Sequence, residues 1–169
     1  VFTTSDSFAA TKQQAIELRM VFIELLRATY TEYMNTGAMD ARQYEGILAF
    51  SLTQSLDIAA DAASKGQPLS DWEHSQIKLN RLFYEGKRKV WKGRGNIHSK
   101  VCCGQEWVDL ASIQKIEAGL EISRGIAFIF AHRDSQEKFR SYFAERGIPV
   151  PPAERLVLEE SAAEIKEAE

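Results

Sequence analysis

The stretch that decides the fold is residues 116–161, IEAGLEISRGIAFIFAHRDSQEKFRSYFAERGIPVPPAERLVLEES. Its apolar residues recur at helical spacing on two faces, the first formed by Ile116, Leu120, Ala127 and Phe130 and the second by Ile122, Ile126 and Ile129. The pattern predicts one long helix over 109–146, ended by Gly147 and Pro149, and then an acidic helix from Glu154. A helix that is apolar on two faces is typical of the centre of a bundle.

The residues before this stretch predict three more helices. The first begins near residues 3–7, ends at Gly37 and buries Leu18, Phe22, Leu25, Thr29 and Tyr33. The second is capped by Asp40, ends at Gly66 and Pro68, and buries Leu48, Leu52, Leu56, Ala59 and Ala63. The third begins at a capping box of Ser70 and Glu73. We therefore predict a single all-α domain over 1–169: a bundle of four to five helices with a long central fourth helix and a basic, glycine-containing loop between helices 3 and 4.

Composition limits the function classes. The chain has 169 residues, 44% of them hydrophobic, and a net charge of −3, which argues against a surface that binds nucleic acid all over. Its two cysteines, Cys102 and Cys103, are neighbours and form no disulfide framework, so we expect a reducing compartment. No segment approaches the roughly 20 apolar residues that cross a bilayer. The first residue is Val1 and the last residues follow a helical pattern, so we expect a piece of a longer protein.

One segment has a strongly basic character. It lies within residues 86–104 and contains Lys87, Arg88, Lys89, Trp91, Lys92, Arg94 and Lys100, with no acidic residue between 87 and 100. Lysine and arginine around an indole suit the headgroups of an anionic membrane, and the same composition suits RNA with Trp91 stacked on a base. A solvated loop, or one that pairs with the acidic residues 154–169, remains a further interpretation.

Other constellations indicate no catalytic or metal site. Ser112 and Lys115 have the Ser-x-x-Lys spacing of some acyl-transferring enzymes, but the supporting motifs are missing. The set His98, Cys102, Cys103 and His132 lacks the ligand spacing of zinc sites and any group that would orient a base. We interpret His132 and Arg133 as structural polar residues, with His132 in an inter-helix hydrogen-bond network that includes an acidic residue of a neighbouring helix. We expect no enzymatic activity, cofactor or metal.

Three stretches, in order, carry a resemblance to a known family. They are residues 18–61, LRMVFIELLRATYTEYMNTGAMDARQYEGILAFSLTQSLDIAAD; residues 68–73, PLSDWE; and residues 113–164, with IEAGLEISRGIAFIFAHR and LVLEESAAE. Together they resemble the cytosolic region that follows the membrane domain in Na⁺/H⁺ antiporters of the plant salt-overly-sensitive and sperm-specific type. Residues 77–108 do not align with that pattern, and the membrane domain with its ion-binding carboxylate has no counterpart here.

The resemblance implies a non-catalytic regulatory and dimer-supporting domain on the cytoplasmic side of a membrane. Its implied partners are the membrane domain of the same polypeptide and a second copy in a homodimer. The basic run would face anionic lipid at the inner membrane surface, and no nucleic acid is expected. Candidate dimer surfaces are the exposed half of the first helix and the alanine-rich end of the second. The alternative is a free-standing helical adaptor that binds a protein or RNA through residues 87–100.

Overall fold

The protein is an all-α bundle, as the sequence predicts. The computed structural model describes residues 4–37, 45–75, 110–145 and 151–169, and no β-strand occurs in these ranges. The helices are α1 (Thr4–Thr36), α2 (Glu45–Ser64), α3 (residues 71–75), α4 (Leu110–Glu145) and α5 (Pro152–Ala168). The fourth helix, α4, has 36 residues and is the longest of those described. The predicted basic loop and the Asp40 cap lie outside the described residues.

The helix ends follow from local chemistry. Gly37 after α1 and Gly66 after α2 have φ angles of 68° and 82°, in the left-handed region that glycine adopts without strain. Helix α3 begins directly after Ser70. Pro152 occupies the first turn of α5, where its fixed φ and missing N–H are tolerated. The glycine stops and the α3 start agree with the sequence prediction.

Helix α1 packs against α2, α4 and α5, and α4 also contacts α2 and α5. The predicted buried face of α2 is confirmed in full, since all five of its residues have no exposed surface. On α1, Phe22 and Thr29 are buried as predicted, and Leu18, Leu25 and Tyr33 are partly buried against the core. The α1 face is wider than the sequence indicates, because the following residues are also buried: Ile23, Leu26 and Tyr30.

The second apolar face of α4 is only partly covered, and of its three predicted residues only Ile129 is half-buried. Leu120 and Ala127 are buried as expected, but Ile122, Ile126 and Phe130 are 64%, 50% and 54% exposed. The prediction that neighbouring helices cover both faces is therefore wrong for this one, as is the placing of Phe130 with Leu120. An α-helix has 3.6 residues per turn, so its side chains point in all directions around the axis. Helices that pack on one side therefore cover only about half of its circumference. Ile122, Ile126 and Phe130, spaced by four residues, form a stripe that we call the α4 stripe.

Candidate functional site: a buried polar cluster

His132 joins three helices through its two ring nitrogens. Its Nδ1 lies 2.9 Å from Oγ of Ser161 on α5, and its Nε2 lies 3.1 Å from Oδ2 of Asp71 at the start of α3. Gln136, one turn further along α4, donates from Nε2 to the same Ser161 oxygen at 3.0 Å. His132, Ser161 and Asp71 are all fully buried. We call these four residues the polar cluster.

The hydrogen bonds fit one proton arrangement best. With one proton on the ring, at Nε2, His132 donates to Asp71 and its Nδ1 accepts the Ser161 hydroxyl. The Ser161 oxygen can then accept from the Gln136 amide. Each group in this series donates a hydrogen bond to the next, from Gln136 through Ser161 and His132 to Asp71. Successive hydrogen bonds of this kind strengthen one another in a low-dielectric interior.

Aromatic rings enclose the imidazole. The Phe128 ring stacks on His132 with centroids 4.1 Å apart, and the Phe22 ring lies 5.9 Å away. Trp72 packs against Phe128, with centroids 4.9 Å apart, and also lies under the guanidinium of Arg124 at 4.5 Å. This shell keeps water from the cluster, so its hydrogen bonds are worth more than the same bonds at the surface.

Two glutamates of α5 bind backbone amides at the start of α3. Glu164 accepts the N–H of Trp72 at 2.9 Å, and Glu160 accepts the N–H of Leu69 at 3.3 Å. The first amides of a helix have no partner inside the helix, and a carboxylate also suits the positive end of its dipole. Helix α5 therefore caps α3, in the way that a capping side chain of α3 itself would.

Glu160 also anchors α5 to α1. The guanidinium of Arg19 donates from Nε at 2.9 Å and from a terminal nitrogen at 2.6 Å to the two Glu160 oxygens. Both side chains are mostly buried, with 7% and 12% exposed. A paired arginine fork of this kind fixes orientation as well as distance.

The cluster perturbs neighbouring acids. Burial raises the pKa of Glu164 to about 7; the Trp72 amide opposes this rise, and the charge of Asp71 adds to it. Burial raises the pKa of Tyr30 well above its ordinary value, and the nearby Asp71 charge raises it further. Both effects arise mainly because burial disfavours the ionised form of each acid, and the Asp71 charge adds to that cost.

An aspartate, histidine and serine in series have the composition of a hydrolase triad. A nucleophilic serine must meet its substrate and lie near free N–H donors that hold the oxyanion. Ser161 has no exposed surface and lies in the middle of α5, where the backbone N–H groups serve the helix. The arrangement is therefore suited to holding α3, α4 and α5 in one register, rather than to acyl transfer.

The sequence-predicted residues fall in different places. His132 is the centre of the polar cluster, whereas Arg133 is an exposed residue that pairs with Glu169 at 3.1 Å. Lys115 is exposed on α4, one turn after Ser112. The remaining candidates lie outside the described residues: Lys87, Arg88, Lys89, Trp91, Lys92, Arg94, His98, Lys100, Cys102 and Cys103. Among the described residues, no group of histidine, cysteine and carboxylate side chains is arranged to hold a metal.

Sequence reasoning missed most partners of His132. Ser161 occupies a position on the buried side of α5, and Asp71 lies directly after the predicted cap at Ser70. A polar residue in the apolar register of a helix is the available signal, since such residues are normally hydrogen-bonded inside the fold. That signal marks a residue without naming its partner.

Comparison with protein-family models, with curated proteins and with solved structures gave no match. Within the described ranges, none of the helices combines the length and the apolar character needed to cross a membrane.

Proposed function

We propose that this domain is the cytosolic regulatory and dimer-supporting part of a Na⁺/H⁺ exchanger, and that it is not itself catalytic. The observation that carries the proposal is the contact between the motifs on which the family resemblance rests. Asp71 belongs to PLSDWE, His132 to the Ala-His-Arg motif and Ser161 to the Glu-Ser motif of the last helix. All three meet in the polar cluster.

This convergence favours a common origin of the motifs over chance similarity. Amphipathic helices resemble one another through their apolar periodicity, which says nothing about which polar residues pair. Asp71 is 61 residues from His132, and Ser161 is 29 residues from it, yet each bonds to one of its ring nitrogens. A motif set preserved for its joint packing would contain such a group.

The cluster supports a regulatory role for mechanical reasons. Helix α5 is attached to α1 through Arg19, to α3 through two backbone amides and to α4 through His132. A displacement of any of these helices breaks a buried polar contact, which favours a small number of discrete arrangements over gradual deformation. A domain of this type can pass a change at one end to a membrane domain attached at another.

The proposed location is the cytoplasmic side of the membrane that holds the transport domain. The basic run from Lys87 to Lys100 is the proposed contact with anionic lipid, on the basis of its composition. Flotation with liposomes tests this part separately. Better retention by vesicles with anionic lipid than by neutral vesicles supports it, and equal retention removes the lipid contact.

The complete open reading frame separates the exchanger from a free-standing adaptor. About a dozen apolar spans encoded upstream of Val1 are expected for an exchanger, each close to the length that crosses a bilayer. A start codon shortly before Val1 would contradict the proposal and leave the adaptor reading. That outcome can be read from the coding sequence before any protein is made.

A further inference from the structure

Among the described residues, no element buries the α4 stripe, and its residues are arranged symmetrically about Ile126. Ile122 lies four residues before Ile126 and Phe130 four residues after it, and all three are at least half exposed. The same helix face continues through Gly119 and Lys115 on one side and through Arg133 and Glu137 on the other. These positions are spaced by three and four residues and therefore share one side of the helix.

We propose that α4 packs against α4 of a second copy, antiparallel, with the two-fold axis at Ile126. The proposal deepens the dimer-supporting role suggested above and rests on it. In a two-fold contact, residue i of one copy meets residue j of the other and j meets i. Here Ile126 meets its own copy, and Ile122 of each chain meets Phe130 of its partner copy.

Charge selects the antiparallel direction. Lys115 lies eleven residues before Ile126 and Glu137 eleven residues after it, so the axis brings each lysine opposite a glutamate of the other copy. Both are exposed, and neither forms an ion pair within the described part of the chain. A parallel pair would instead bring Lys115 against Lys115 and Glu137 against Glu137, which is unfavourable.

Shape also suits the contact. Gly119 lies opposite Arg133 of the other copy, and a Cβ built on Gly119 meets nothing within 4 Å. The missing side chain at Gly119 leaves room for the long Arg133 side chain of the other copy. The two helices can therefore approach to the usual axis separation of about 8–10 Å. Three large apolar side chains from each copy form a small interface, so we expect a reversible dimer that tethering to a common membrane domain would strengthen.

Association of the purified chain tests the proposal. Sedimentation velocity from micromolar to submillimolar concentration should show reversible conversion of a 19.1 kDa monomer into a species of twice that mass. Ile126→Asp should weaken dimerisation by at least about 100-fold, because the axis brings both copies of the change together. Phe50→Asp is the matched control, since Phe50 is a 57% exposed apolar residue on α2, and it should leave dimerisation unchanged.

Charge reversal tests the direction. Lys115→Glu should weaken the dimer, and Lys115→Glu combined with Glu137→Lys should restore it, because the antiparallel register exchanges the two signs. Circular dichroism checks that every variant is folded. A chain that stays monomeric throughout, including one that binds vesicles through the α4 stripe instead, would overturn the proposal. So would a dimer that Ile126→Asp leaves intact, while failure of the double variant to recover would overturn the antiparallel register.

The outcome of these association experiments can be told apart from the outcome of the open-reading-frame test of the proposed function. A monomeric chain whose open reading frame encodes membrane spans would leave the exchanger proposal standing without this interface. A dimeric chain whose open reading frame encodes no upstream spans would leave this interface standing without the exchanger proposal.

Discussion

The imidazole of His132 has side chains of two other helices on its ring nitrogens and a phenyl ring stacked on its face. Its removal would leave the Asp71 carboxylate buried without this partner and would open a space beside Phe128. Unpaired buried charge and lost packing are both among the mechanisms that give large destabilisation by single substitutions.

His132→Ala should therefore lower the free energy of unfolding by about 2–4 kcal/mol. The adjacent Arg133 provides a matched control, because its ion pair with Glu169 is exposed on both sides. Arg133→Ala should change stability by less than about 0.5 kcal/mol. Urea unfolding followed by circular dichroism measures both. Equal losses in the free energy of unfolding for the two variants would mean that the polar cluster does not stabilise the fold.

Glu164 should make stability depend on pH. Its pKa rises from 4.5 to about 7 on folding, so the folded chain retains a proton that the unfolded chain releases. This contribution is fully present below pH 4.5 and is lost as the pH rises through 7. Stability should fall over that interval and become level above it, as far as this group is concerned.

Glu164→Gln isolates the effect, since the glutamine amide oxygen can still accept the Trp72 N–H but carries no charge. The variant should be more stable than the parent by about 1–3 kcal/mol at pH 8, with the difference disappearing towards pH 4.5. Chemical unfolding of both proteins across this range measures it. A constant difference at every pH would show that Glu164 does not titrate in this interval.

Residue identity was only partly predictable. An apolar run that ends in a histidine predicts a buried imidazole, and the need to satisfy it predicts an acidic partner on another helix. The choice of Asp71 could not be predicted, because it depends on how α3 approaches α4. For Glu160 and Glu164 the sequence predicts only membership of the acidic last helix, since the backbone amides that they bind lie about 90 residues away in sequence.

At the scale of elements, α5 is held to α1 by one strong polar contact. Arg19 and Glu160 form two short hydrogen bonds between mostly buried side chains. Arg19→Met keeps an unbranched apolar chain in place of the aliphatic part of arginine and leaves the Glu160 charge without this partner. We expect a loss of about 2–4 kcal/mol in the free energy of unfolding.

Adding Glu160→Gln should recover at least half of that loss, because the neutral amide needs no counter-charge and can still accept the Leu69 N–H. A double-mutant cycle by urea unfolding gives the coupling between the two residues. If the double variant were as unstable as the sum of the single ones, the two side chains would act independently and the contact would not attach α5 to α1.

The positions of the helices were more predictable than which of their faces are buried. Glycine stops and the repeats of α2 depend on neighbours in sequence, so their positions could be derived locally. The burial of α4 could not, because an apolar face has the same sequence pattern whether this chain or another molecule covers it. Ile122 and Ile126 are the residues for which this ambiguity mattered.

For the whole molecule, we propose that the polar cluster, at the meeting point of α3, α4 and α5, fixes the shape of a domain that regulates an attached exchanger. The cluster unites residues from all three helices, so the domain should respond as one unit when any of them is changed. Its influence on transport should therefore follow the integrity of the cluster, and exposed charges nearby should matter little.

The most direct measurement is sodium-driven proton movement by the complete protein, reconstituted in vesicles with a pH-sensitive dye. We expect exchange by the parent, reduced or deregulated exchange by His132→Ala, and exchange like that of the parent by Arg133→Ala. Absence of any sodium-dependent proton movement by the complete protein, or equal effects of the two substitutions, would contradict it.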